Sequence, residues 1–300
     1  MKRRNFIGNA LKLAGGAALG VSLLNHSASA RKVSLGIETE EGLAESSRSF
    51  GEKVLFVEKN YTDYPFSYEG ALDKLYDIRK AFHRKFNPKD ESANLFTIYE
   101  ILQGKPFSFS FNPKGKTVDL LAQGFNEGIL DCDTAGFIYL DLADMEGMPL
   151  SAAKSVSKNG THFYLIWPDS PVNEFLFHPN MGVFGEISGN YNSPTKEEKA
   201  LGIYNRKLSR KETLGGVYFN AGIRCCEKEA PPEKQAMLFG KAVKLDDRNL
   251  PAYYFLSHAL CDMGRYGEAI EMAEKAATSG REAYVSWLGY LKEYKSQPSK

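Results

Sequence analysis

The sequence predicts an α+β chain, with helices and an antiparallel sheet up to about residue 185 and helices alone from residue 211. Three observations lead there. The stretch 135–145 is apolar except for Asp141 and Asp144, has no proline, and stops at Gly147 with Pro149 just beyond, which is how a buried helix ends. Three strand-like runs follow it, at 149–157, 161–167 and 172–178, the first two joined through Asn159-Gly160, a strong two-residue hairpin signal. The last ninety residues repeat themselves, Lys241-Ala242 recurring as Lys275-Ala276 with a spacing of 34.

Residues 1–30 stand outside this fold. A basic start, a short Gly- and Ala-rich apolar stretch and Ala28-Ser29-Ala30 make a secretory signal cleaved after Ala30, too weakly apolar to span a membrane. Arg3-Arg4-Asn5-Phe6-Ile7 resembles the twin-arginine export signal, so the expected location is a periplasm. Residues 31–51, rich in Glu and Ser, read as a flexible arm. Lys53 to Glu58 (KVLFVE) reads as a short strand, and Leu72, Leu75, Ile78 and Phe82 have helical spacing within 69–86. A second helix runs over 91–102 between Pro88 and Gly104, then a strand over 106–111, a turn at 112–115 and an apolar helix near 120–125.

Cys132 stands at the mouth of the 135–145 helix, where the dipole and free N–H groups favour a thiolate. His162, thirty residues on, heads the second strand and could serve as its base. If Trp167 faces Val172 across the Pro168–Pro171 turn, His162 pairs with Phe177, or with His178 after a slip of one residue, which brings His178 close.

This order of cysteine at a helix start, histidine at a strand start and a third residue before proline resembles the core of the transglutaminase-like superfamily of papain-type thiol enzymes. The likeness covers about residues 90–182. It implies a transglutaminase-like domain over 52–185, a Cys-bearing helix packed on an antiparallel sheet, with Cys132 as nucleophile, His162 as general base and His178 in the orienting position. The family's aspartate before proline is replaced by His178-Pro179, for which Asn173, Glu174 or Asn180 could substitute. Gln123 or Asn126 could supply an oxyanion donor beside the Cys132 N–H. The implied activity is hydrolysis, deamidation or acyl transfer at an amide of a peptide or protein, with no cofactor and no metal. The alternative is a catalytically silent scaffold that binds proteins through its C-terminal helices.

A linker is expected over 186–210 and helices over 211–296. The run from Ala252 through Gly264, Tyr266, Ala269 and Ala276 resembles a tetratricopeptide repeat, preceded by a partial repeat and closed by a capping helix over 281–294. Such a module is either a buttress or a docking surface for a protein partner. In an oxidising compartment Cys225 or Cys226 could bond to Cys261, leaving Cys132 unpaired. The formal charge of +1 becomes −3 without residues 1–30, so neither nucleic acid nor an anionic membrane is an expected partner.

Overall fold

The computed structural model describes residues 39–111, 118, 120–157, 160–167, 175–179, 182–184, 195–203 and 206–296. The predicted signal and the turn at 112–115 lie outside the described residues, as do Asn173, Glu174, Asn180 and positions 186–194 and 204–205 of the predicted linker, whose described part holds a short helix, Lys196–Ala200. The described chain is α+β, predominantly helical with two small sheets.

In chain order the elements are α1 (Glu40–Glu45), α2 (Phe50–Tyr61), α3 (Tyr68–His83), α4 (Glu91–Gln103), β1 (Ser110–Phe111), α5 (Leu121–Glu127), β2 (Ile129–Leu130), α6 (Cys132–Glu146), β3 (Ser151–Ser157), β4 (Gly160–Trp167), β5 (Phe175–His178), β6 (Val183–Phe184), α7 (Lys196–Ala200), α8 (Arg210–Glu227), α9 (Pro232–Leu245), α10 (Leu250–Asp262), α11 (Tyr266–Ala277) and α12 (Glu282–Ser296). Strands β3 to β6 form an antiparallel meander, while β1 and β2 pair in parallel.

Two expectations at the N-terminal end are corrected. The flexible arm contains α1 and the start of α2, and the KVLFVE strand is the middle of α2. Ser49 and Glu52 close a capping box, and Phe50, Val54, Leu55, Val57 and Tyr61 bury a helical stripe, which outweighs the β preference of the two valines. Glu58 on the same helix is buried. Its carboxylate accepts the Leu121 and Ala122 N–H groups, both at 3.2 Å, and so caps α5, whose own N-cap Leu120 offers no side-chain acceptor.

Helix α6 is held from both sides. At its start Asp131 accepts the Thr134 N–H while Thr134 Oγ1 accepts the Asp131 N–H, and at its end Gly147 takes a left-handed φ of 70°. Asp141, fully buried halfway along it, accepts the Gly51 N–H at 2.8 Å and a bidentate grip from Arg79, through Nε at 2.7 Å and Nη2 at 2.8 Å. Arg79 also reaches Glu52 at 3.0 Å and Ser49, so one guanidinium ties α3, α2 and α6 together. Gly136 lets the sheet approach: a Cβ there would lie 2.2 Å from the Phe163 ring.

The sheet presents its two faces by strict alternation. Ala152, Phe163, Leu165 and Phe177 join the main core, with Phe137 of α6 edge-on to Phe163 at 5.7 Å and Tyr139 beside Phe177 at 5.3 Å. Ala153, Tyr164 and Ile166 form a separate small cluster on the opposite face. That same main core continues without a break into α8 to α12.

The helical half is a succession in which each helix packs on the next, from α8 to α12. Gly222 permits the close approach of α9, since a Cβ would meet Phe239 at 2.5 Å. The last helix is locked by aromatic stacking, Tyr284 on Tyr254 at 4.5 Å and Trp287 on His258 at 3.7 Å, and by the Trp287 Nε1–H donated to Ser257 Oγ at 2.8 Å.

Helix α1 is fastened to α9 through Glu40, which receives Lys241 at 2.5 Å and Lys244 at 2.8 Å. Desolvation pushes that carboxyl up, but hydrogen bonds from Lys241 and Lys244 outweigh it and hold the pKa at about 2. A carboxylate with a depressed folded pKa stabilises the fold above its unfolded value of about 4.3 and loses that contribution as pH falls towards its folded value. The melting temperature of wild type should therefore exceed that of Glu40→Gln at pH 7, and the difference should shrink between pH 4.3 and 2.

Candidate functional site

Cys132 is the first residue of α6 and is partly buried. Its Sγ donates to Asp133 Oδ1 at 3.2 Å and accepts a hydrogen bond from the Phe163 backbone N–H of β4. Burial pushes the thiol well above its ordinary pKa, and the carboxylates of Asp133 and Asp131 push the same way, against the lowering effect of the Phe163 hydrogen bond. Asp133 is itself buried, and desolvation raises it to about 6 despite Lys154 and hydrogen bonds with Cys132 and Asn220. The helix dipole expected to favour a thiolate is thus opposed by two acidic neighbours.

His162 sits on β4 opposite Ser155, next to the Phe163 that approaches Cys132. Its side chain is not among those described. The odd-numbered positions 163 and 165 face α6, and the even-numbered ones, 164 and 166, face the other way.

The pairing of β4 with β5 departs from the predicted register. Trp167 pairs with Phe175 and Leu165 with Phe177, three residues on from a Trp167–Val172 pairing. Burial of Phe177 against Tyr139 and Phe96 sets this register. His178 accordingly falls level with Tyr164, not His162, and its ring lies 6.3 Å from Tyr164 on the face away from α6. It is buried there, and its carbonyl accepts the Gly182 N–H at 2.9 Å. The structure does not bring His178 together with Cys132.

The two oxyanion candidates are engaged elsewhere. Gln123 Nε2 donates to Glu127 at 2.9 Å, and Asn126 Nδ2 reaches Tyr64 OH at 3.4 Å. The disulfide that an oxidising compartment would permit is not formed: Cys225, Cys226 and Cys261 are not disulfide-bonded, Cys225 facing the Tyr61 carbonyl and Cys226 the Gln235 amide oxygen. Among the described residues no group of three or more His, Cys, Asp or Glu side chains could hold a metal ion, and no helix is long and apolar enough to cross a membrane.

An open concavity lies in the helical half. A groove of about 390 Å³ runs between α9, α10 and α11, with Leu256 and Leu260 of α10 at its base and Met237, Met263 and Met272 along it. Met237 is 40% exposed. Three carboxylates, Glu233, Glu268 and Glu271, and one guanidinium, Arg265, surround the methionines. Arg265 is held by Glu268 at 2.6 Å, whereas Glu233 and Glu271 have no ion-pair partner among the described residues. The rim is therefore acidic.

Sequence reasoning found these helices but missed the groove. The signal present was three methionines spread over two adjacent repeat units, a residue type suited to adaptable apolar contacts. Comparison with family models, curated proteins and solved structures finds no match to this chain.

Proposed function

We propose that the chain is a peptide-binding protein whose working surface is the groove between α9, α10 and α11, held in place by the α/β half. The methionine-lined, acid-rimmed groove carries this reading. Unbranched, polarisable methionines repack around different apolar side chains, as promiscuous peptide sites require. An amphipathic helix lays anchors at i, i+3, i+4 and i+7 into such a groove, and Glu233 and Glu271, without an ion-pair partner among the described residues, favour cations beside those anchors. The partner is thus a short amphipathic segment with basic flanks. The resemblance of these helices to tetratricopeptide repeats supports the same role, and the signal-like character of residues 1–30 favours a periplasmic setting for it.

The transglutaminase-like reading is the second one. Cys132 as the first residue of α6, with its sulfur at the Phe163 N–H, favours it. The acidic neighbours of the thiol and the position of His178 count against amide chemistry there.

The test is fluorescence anisotropy with a labelled peptide of about 14 residues carrying leucines at i, i+3, i+4 and i+7 and lysines beside them. Binding in the micromolar range is expected, weakened about tenfold or more by Met237→Glu and absent when glutamates replace the lysines. Equal binding by wild type and Met237→Glu would count against the groove.

A further inference from the structure

We infer that the groove's first occupant is the chain's own N-terminal segment, residues 2–13, docked in cis while residues 1–30 remain attached. The inference rests on reading the groove as a peptide site and names its partner.

Charge is the first ground. Residues 2–13, KRRNFIGNALKL, carry Lys2, Arg3, Arg4 and Lys12 and no acid, against a rim with a net of two negative charges. Glu233 and Glu271, which have no ion-pair partner among the described residues, are available to those cations. Pattern is the second. On a helix Phe6, Ala10 and Leu13 fall at i, i+4 and i+7, with Ile7 and Leu11 alongside them, which is the stripe a helix-binding groove reads.

The third ground is where the described chain begins. Thr39 caps α1, and α1 is pinned to α9 by Glu40 with Lys241 and Lys244. Met237 lies four residues from Lys241 on that same helix, about 6 Å along its axis. The 25 residues from 14 to 38 span up to about 80 Å when extended, so the tether does not limit docking. Tethering in cis supplies an effective concentration of about a millimolar, which fills about nine-tenths of a site that binds the segment with a Kd of about 100 μM and so weakens a competing peptide about tenfold. Removing residues 1–30 would then vacate the groove for a partner of similar chemistry in trans.

The experiment oxidises the full chain with dilute hydrogen peroxide and follows each methionine by peptide mass spectrometry, in wild type and in Arg3→Glu/Arg4→Glu. Met145, 41% exposed on α6 and outside the groove, is the internal reference. The charge-reversed variant should oxidise Met237 and Met272 at least about threefold faster with Met145 unchanged. It should also bind the labelled basic peptide about tenfold more tightly than wild type, because the competing segment is gone. Adding Glu233→Lys/Glu271→Lys to the variant should restore protection of the groove methionines. Equal oxidation rates together with equal peptide binding by both chains would overturn the cis inference while leaving the groove as a peptide site. Failure of the peptide to bind either chain would overturn both.

Discussion

Replacing Arg79 by leucine should lower stability by about 3–5 kcal/mol, because it leaves Asp141 charged, fully buried and without its partner. That is a large share of the roughly 5–15 kcal/mol that holds a typical domain together. Three helices lose their shared contact at once, since the guanidinium also binds Glu52 and Ser49. Urea denaturation followed by circular dichroism measures the loss. The double variant Arg79→Leu/Asp141→Leu should recover part of it, as apolar replacement of both members of a buried pair often does. A loss below about 1 kcal/mol for Arg79→Leu would place the pair among ordinary surface ion pairs and contradict its role.

Gly136→Ala should also destabilise, although in an open helix interior the same change gains about 1 kcal/mol. The added methyl would sit 2.2 Å from Phe163, whose ring is already packed edge-on against Phe137. Overpacking of this kind costs about 1–3 kcal/mol. Phe163→Leu in the same chain should return most of that, since it removes the atoms the methyl meets. Thermal melts of the two variants decide it, and a higher melting temperature for Gly136→Ala alone would show that α6 and β4 are not in this contact.

What the sequence made legible here were features written locally. The end of α6 at Gly147 follows from Gly147-x-Pro149 and is found where expected; Asn159-Gly160 marks the β3–β4 hairpin, but Gly160 itself belongs to β4 and pairs with Ser157, so the turn falls one residue earlier than a turn at Asn159-Gly160. Cues that depend on distant partners were not legible. KVLFVE reads as a strand until the core under Val54 and Leu55 is known, although Ser49-x-x-Glu52 just before it is a local helix-start signature. Asp141 reads as a polar interruption of an apolar helix, because its partner Arg79 lies 62 residues away. The β5 register hinges on which phenylalanine is buried, and a shift of three residues moves a side chain to the other face of the sheet. That single shift puts His178 beside Tyr164 and changes the reading of Cys132 from a nucleophile with two histidines to a thiol between two aspartates.

The division of labour proposed for this chain places binding in the helical groove and leaves Cys132 a structural thiol. The most direct test is the rate of iodoacetamide modification of Cys132 from pH 4 to 10, read by peptide mass spectrometry, in wild type, Asp133→Asn and His162→Ala. With burial, Asp133 and Asp131 all raising the thiol pKa, labelling should be slow throughout the range below about pH 8.5, the ordinary thiol value, faster in Asp133→Asn and unchanged in His162→Ala. Fast labelling at pH 6 that is lost in His162→Ala would reveal a thiolate–imidazolium pair, contradict the structural role of Cys132 and return the chain to the thiol enzymes.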